Sequence, residues 1–273
     1  MTGSEQQARV AAGEFRRMHR LGLQPLGDLV ALIEQTTGYE VAVLDADYGE
    51  HGLTMRDPVR DATFIGVARS RTPMRQRSTL AHELGHLVFG DCDHGVEFAK
   101  RSPEEIRADA FARHLLVPVE GVTEFLGQRD GAGMTDLAAV VQRFLVSPAI
   151  AAIAMRDAGY VSGSTVKEWK PITTGHLATL YGWSDYYESL CDNSNRLRSP
   201  QSLVARAVNG YAAGVVSAQV IATLREVDVD VVLNELREAG IVPAIRQPVD
   251  MSADDLPDVE IDLSDLEDGD SLP

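Results

Sequence analysis

Cationic residues are scarce in this chain: 25 Lys and Arg face 41 Asp and Glu over 273 residues, a formal net charge of −16. Ten of the acids, and no Lys or Arg, lie after Arg246, so the rest carries −6. That balance argues against binding nucleic acid through bulk positive charge, which requires many Lys and Arg to neutralise phosphates. Cysteine is nearly absent. Cys92 and Cys191 form no Cys-x-x-Cys unit, which excludes a disulfide scaffold and fits a reducing compartment. No apolar run is long enough to cross a bilayer, and the first residues lack the apolar core of a signal peptide. A soluble, cytoplasmic protein without a membrane partner is expected. Its length suffices for one sizeable core and a smaller module.

What is present is His82-Glu83-Leu84-Gly85-His86, inside the run from Arg75 to Phe89. On a helix, residues four apart share a face, so His82 and His86 can offer two imidazoles to one metal ion. Glu83 lies about 100° around the helix, where it can reach a metal-bound water. Leu80, Leu84 and Leu87 fall on the opposite side and supply a face to bury. A histidine pair on a buried helix can also be held by backbone hydrogen bonds alone, so a third ligand decides the matter.

A catalytic zinc takes three protein ligands and keeps one open position. The distal histidine of the metzincin pattern is missing, because Phe89 and Cys92 stand where Gly and His are needed. The next candidate segment runs from Glu104 to Pro118. Ser102, Pro103, Glu104 and Glu105 form a good helix start, and Ala108, Phe111, Ala112 and Leu115 make a helical apolar stripe. Glu105 and Asp109 share a face of that helix. Glu105 can ligate zinc while Asp109 accepts the second ring N–H of a ligand histidine. Asp91, Asp93 and His94 are the other groups within reach in sequence.

The segment Arg75–Phe89 resembles the R-x-R-F-T-x-A-H-E-L-G-H signature of the ImmA/IrrE family of metallopeptidases. Glu105–Pro118 resembles that family's E-x-x-A-N-x-F-A-x-x-L-L-M-P block. The resemblance covers roughly residues 25–160. It implies that His82, His86 and Glu105 are the metal ligands and Glu83 the general base. Ser78, Asp109 and Val117 depart from the usual Phe, Asn and Met, and none removes a ligand. Asp109 brings the site closer to the thermolysin group.

The chain reads as α+β: a small three-stranded sheet packed with zinc-site helices, then a helical, helix-turn-helix-like half. A lead-in over 1–24 precedes a metallopeptidase domain over 25–127. Within it a helix from Pro25 to near Gly38 is expected, then strands over Glu40–Leu44, Gly52–Met55 and Ala62–Ala68. By analogy with related peptidases, the Thr63–Arg69 run would be the edge strand that holds substrate backbone. A helix-turn-helix-like unit covers 128–162, with helices at Met134–Phe144 and Ala149–Ala158. An aromatic and Ser-rich connector over 163–198 holds Trp169, Trp183, Tyr181, Tyr186 and Tyr187, which suit a small satellite core. A second helical unit spans 199–246, and an acidic tail over 247–273 is expected to be disordered.

The expected activity is zinc-dependent peptide hydrolysis, with Zn²⁺ on His82, His86 and Glu105, Glu83 as base and Asp109 behind a histidine. His94, His114, Tyr160 and Tyr181 are candidates for a second oxyanion donor. The resemblance implies a protein substrate, a helix-turn-helix repressor whose cleavage alters transcriptional regulation. Two rival readings are a binding regulator on a peptidase scaffold and a direct transcription regulator. The second is weakened because Ala149–Ala158 offers only Arg156, against Asp157, and Val229–Ala239 only Arg237 against three acids.

Overall fold

The computed structural model describes residues 3–46, 52–91 and 102–244. Cys92, Asp93, His94 and the acidic stretch 247–273 lie outside the described residues.

The strands β1 (Glu40–Leu44), β2 (Gly52–Asp57) and β3 (Ala62–Ala68) make one mixed sheet in the order β1-β3-β2. β1 runs parallel to β3, and β2 pairs antiparallel with β3 so that Thr54 opposes Ile65. Val41, Ala42 and Val43 of β1 and Ile65, Gly66 and Val67 of β3 are buried in succession, so the middle of both strands is covered on both faces. β3 is therefore the central strand, which corrects the expectation that Thr63–Arg69 forms an edge. The more apolar β3 sits between its neighbours, whereas β2 carries Arg56 and Asp57 and is mostly exposed. The outer side of β1 is closed by a bridge to Arg198, with N–H···O distances of 2.9 and 3.0 Å. Among the described residues, β2 is the strand with an open edge.

Helix α1 (Gly3–Met18) is a core element as well as a lead-in. Ala8, Ala12 and Phe15 are buried, and Phe15 meets Phe111 edge-on at 6.3 Å. Helix α2 (Leu29–Thr37) begins later than Pro25 suggested. Asp28 caps it by accepting from the Ala31 N–H, and the carbonyls of Leu26 and Gly27 accept from Arg77 instead of starting a helix.

Helices α3 (Pro73–Phe89) and α4 (Pro103–Leu116) lie side by side, and α3 packs against β2 and β3. Leu80 and Leu84 of α3 and Ala108, Phe111, Ala112 and Leu115 of α4 are almost fully buried. Each large one contributes about 1.5–3 kcal/mol by burial.

Beyond them come α5 (Val119–Leu126), α6 (Met134–Phe144) and α7 (Pro148–Asp157). The axes of α6 and α7 differ by 108°, the crossing of a helix-turn-helix, through a turn with Leu145 at φ 53°. Ala151, Ala152, Ala154 and Met155 of α7 are buried in the main core.

The aromatic stretch is more ordered than a connector. It forms α8 (Gly163–Trp169), α9 (Thr174–Leu180) and α10 (Ser184–Ser194), and Trp169, Leu177, Ala178 and Trp183 join the main core, not a satellite one. Helices α11 (Gln201–Ala212), α12 (Ala218–Arg225) and α13 (Val229–Glu238) enclose a separate small cluster around Ile221, Ala222, Val232 and Leu236. No single described helix is long and apolar enough to cross a membrane.

Candidate metal centre

Two side chains fix α3 before any metal chemistry is considered. Gln76 donates to the carbonyls of Ala68 at 3.0 Å and Ser194 at 2.8 Å, joining α3 to the end of β3 and to α10. Arg77 donates to the carbonyls of Leu26, Gly27 and Leu145, which ties α3 to the approach of α2 and to the α6–α7 turn. Burial draws the Arg77 pKa down to about 10. The second arginine of the R-x-R motif is thus a bracket for the helix.

Gly85 then sets how close α4 can come. A Cβ there would stand 3.1 Å from the Phe111 ring and 3.3 Å from the Ala108 Cα, so only glycine allows this approach of α3 and α4 without adjustment. The approach places Glu105 over the histidine pair. His82 Nε2 and His86 Nε2 are 3.0 Å apart, and the two Glu105 carboxylate oxygens lie 3.4 and 3.3 Å from them, respectively. A tetrahedral ion with bonds of ~2.0–2.1 Å separates its ligand atoms by roughly 3.3–3.4 Å. Each imidazole nitrogen thus lies near that spacing from the other and from one Glu105 oxygen, and the three residues could hold a divalent metal with a further position left for another ligand.

Each imidazole has a carboxylate on its far nitrogen. His82 Nδ1 lies 2.8 Å from Asp109 Oδ1, and His86 Nδ1 lies 3.4 Å from Asp91 Oδ2. Such pairs fix the tautomer that presents Nε2 to a metal. Burial works against charge on His82, but the Asp109 hydrogen bond and the nearby Glu105 and Glu83 carboxylates outweigh it and raise its pKa. Without metal, His82 holds a proton more firmly than a free imidazole, and metal has to displace it. Asp91 was not singled out as a histidine partner by sequence reasoning. Its side chain is only 8% exposed and accepts from Arg107 at 2.7 Å, while Arg107 lies over the Phe89 ring at 4.3 Å. An acid just beyond the α3 C-terminus was the available signal.

Glu83 is held from the sheet. Thr54 Oγ1 donates to Glu83 Oε2 at 2.7 Å, leaving the other oxygen for proton transfer. Gly52, two residues earlier on β2 and so on the same face, makes room for it: a Cβ there would fall 2.6 Å from Glu83 Oε1 and 2.7 Å from Thr79 Cγ2. Neither Thr54 nor Gly52 is visible in the motif, because their relation to Glu83 depends on the β2–β3 register.

The candidate oxyanion donors have other engagements. His114 Nε2 pairs with Glu5 at 2.8 Å in the α1–α4 interface, Tyr160 donates to the Gly127 carbonyl at 2.8 Å, and Tyr181 sits 3.4 Å from Thr135. His94 lies outside the described residues.

Comparison with known proteins gives one family match. Residues 38–156, from β1 to the penultimate residue of α7 and including the candidates His82, Glu83, His86, Glu105 and Asp109, match the peptidase M78 model described as the IrrE N-terminal-like domain. No curated protein matches the chain.

Proposed function

From the match of residues 38–156 to the IrrE N-terminal-like domain model, we propose that the chain is a zinc-dependent endopeptidase of that family. His82, His86 and Glu105 would hold the zinc, in keeping with two imidazoles and one carboxylate as a catalytic donor set. Bound there, the metal supplies Lewis acidity, which lowers the pKa of water to about 7 and polarises a peptide carbonyl. Glu83 is the proton carrier, taking a proton from the attacking water and delivering it to the leaving amine. Thr54 holds one of its oxygens and so limits the rotation that would carry the carboxylate away from the donors. Asp109 and Asp91 keep the two imidazoles turned toward the site.

The observation that carries this reading is Glu83 fastened by Thr54 beside a three-donor face. A binding regulator without proteolysis has no use for an oriented base at that position. The open edge of β2 supports a peptide substrate, because an extended segment can add to it by backbone hydrogen bonds next to Glu83. The substrate we favour is a helix-turn-helix repressor, which rests on the family resemblance alone. Burial of α7 and the shortage of cations on α13 favour an action through protein, not through DNA.

Incubation of the zinc-loaded chain with a co-encoded repressor tests the proposal. Cleavage should occur, and Glu83→Gln should reduce it by ~10²-fold or more while zinc content and melting temperature persist. Full cleavage by Glu83→Gln would dismiss the mechanism. Stoichiometric zinc with repressor binding but no cleavage would establish the regulator that acts by binding.

A further inference from the structure

On the side of α4 that faces α1, the chain carries a cavity of about 480 Å³ unrelated to the metal centre. It is lined by Arg9, Arg16, Arg17 and Arg20, with Leu23 and Pro118 on its apolar wall. The arginines follow helical spacing along one face of α1 and into the turn after it. In a chain with far more acids than bases, four arginines around one cavity is a local reversal of sign.

The acids nearby cancel that charge only at Arg9. Glu120, which also lines the cavity, pairs with Arg9. Glu5 is taken up by Arg113 and His114. Arg17 and Arg20 make no ion pair among the described residues. Arg16 is the most telling group. It is 4% exposed, and it is anchored only on neutral carbonyls: Leu115 at 2.8 Å, Gly22 at 2.7 Å and Gln24 at 3.0 Å. Its Nη2 is buried without a hydrogen-bond partner. Burial alone draws its pKa down to about 10, with no carboxylate to offset it. A buried guanidinium with an unmet donor is costly unless an anion completes it.

We propose that this cavity is a binding site for a small organic phosphate. Phosphate oxygens match the forked donors of arginine, so Arg17 and Arg20 would be the clamps, with Arg16 behind them as a buried, carboxylate-free positive charge. The volume exceeds that of a phosphate group, and Leu23 and Pro118 offer an apolar surface for the remainder of the molecule. The site is separate from the peptidase reading and its test requires no cleavage.

Inorganic phosphate serves as the probe, added to the metal-loaded full chain at constant ionic strength, with malonate as a dicarboxylate comparison. Melting temperature and metal content are followed together, so that metal loss is not mistaken for binding. The expected result is a saturable rise in melting temperature with metal content unchanged. In Arg17→Ser/Arg20→Ser, both replacements being exposed, the apparent affinity should fall about 10-fold or more, the equivalent of one charge-assisted hydrogen bond. No saturable effect, or the same effect in the double variant, would overturn the site. Saturation by malonate and not by phosphate would overturn the phosphate assignment.

Discussion

Replacing the two carboxylates behind the histidines should separate metal retention from stability. Asp109 and Asp91 each hold one imidazole, so Asp109→Ala and Asp91→Ala should each weaken metal affinity by about 10–100-fold. Their effects on the metal-free fold should differ. The Asp109 side chain is 74% exposed and its bond to His82 is open to solvent, so its loss should change apo stability by about 1 kcal/mol or less. The Asp91 side chain is 8% exposed and is the carboxylate partner of Arg107, whose Nε is already buried without a partner. Removing one member of a buried ion pair costs ~3–5 kcal/mol. With Arg107 about a quarter exposed, water recovers part of that, and a loss of roughly 2–3 kcal/mol is expected. Competition against a chelator gives the metal affinities, and denaturant unfolding of the apo-proteins gives the stabilities. If Asp91→Ala left apo stability unchanged, or if Asp109→Ala lowered it as much, burial would not be what distinguishes these two carboxylates.

Gly52→Ala should displace Glu83, since the new methyl group would stand 2.6 Å from its Oε1, and a misplacement of this kind costs ~10²-fold in rate. Metal content should persist, because Gly52 supplies no metal donor, and unaltered cleavage of a substrate cut by the parent would refute the placement of Glu83 against β2. Glu5 bears on pH dependence: burial opposes its charge, but Arg113 and His114 outweigh that and hold its pKa below the ordinary 4.5. A lowered carboxylate pKa contributes stability above about pH 4.5 that fades as pH falls through the folded value. Glu5→Gln should therefore be less stable than the parent at pH 7, with the difference shrinking at low pH, as unfolding curves at pH 7 and pH 4 would reveal.

Local rules made much of this protein readable in one dimension. The i, i+4 histidines, the apolar face of α3, the Ser102-Pro103 start of α4 and the three strand segments all follow from helix period, capping and alternation, which act over a few residues. So do the α6–α7 turn and the stop near Gly38. The misreadings arose where distant segments compete for one partner. β3 is central because pairing order is a choice among strands, and alternation within β3 does not reveal how many neighbours it has. The α2 start moved because Arg77, fifty residues away, claims the carbonyls of Leu26 and Gly27. The aromatic stretch became helical core because Trp169 and Trp183 found the main hydrophobic cluster within reach. The same holds for the site. Residue types and spacing single out His82, Glu83 and His86 as candidates, but the convergence of Glu105, the grip of Thr54 on Glu83 and the support of His86 by Asp91 come from tertiary packing. Gly85 lets α4 approach α3, and the strand register carries Thr54 to Glu83, so contacts between elements far apart in sequence complete what a single helix only begins.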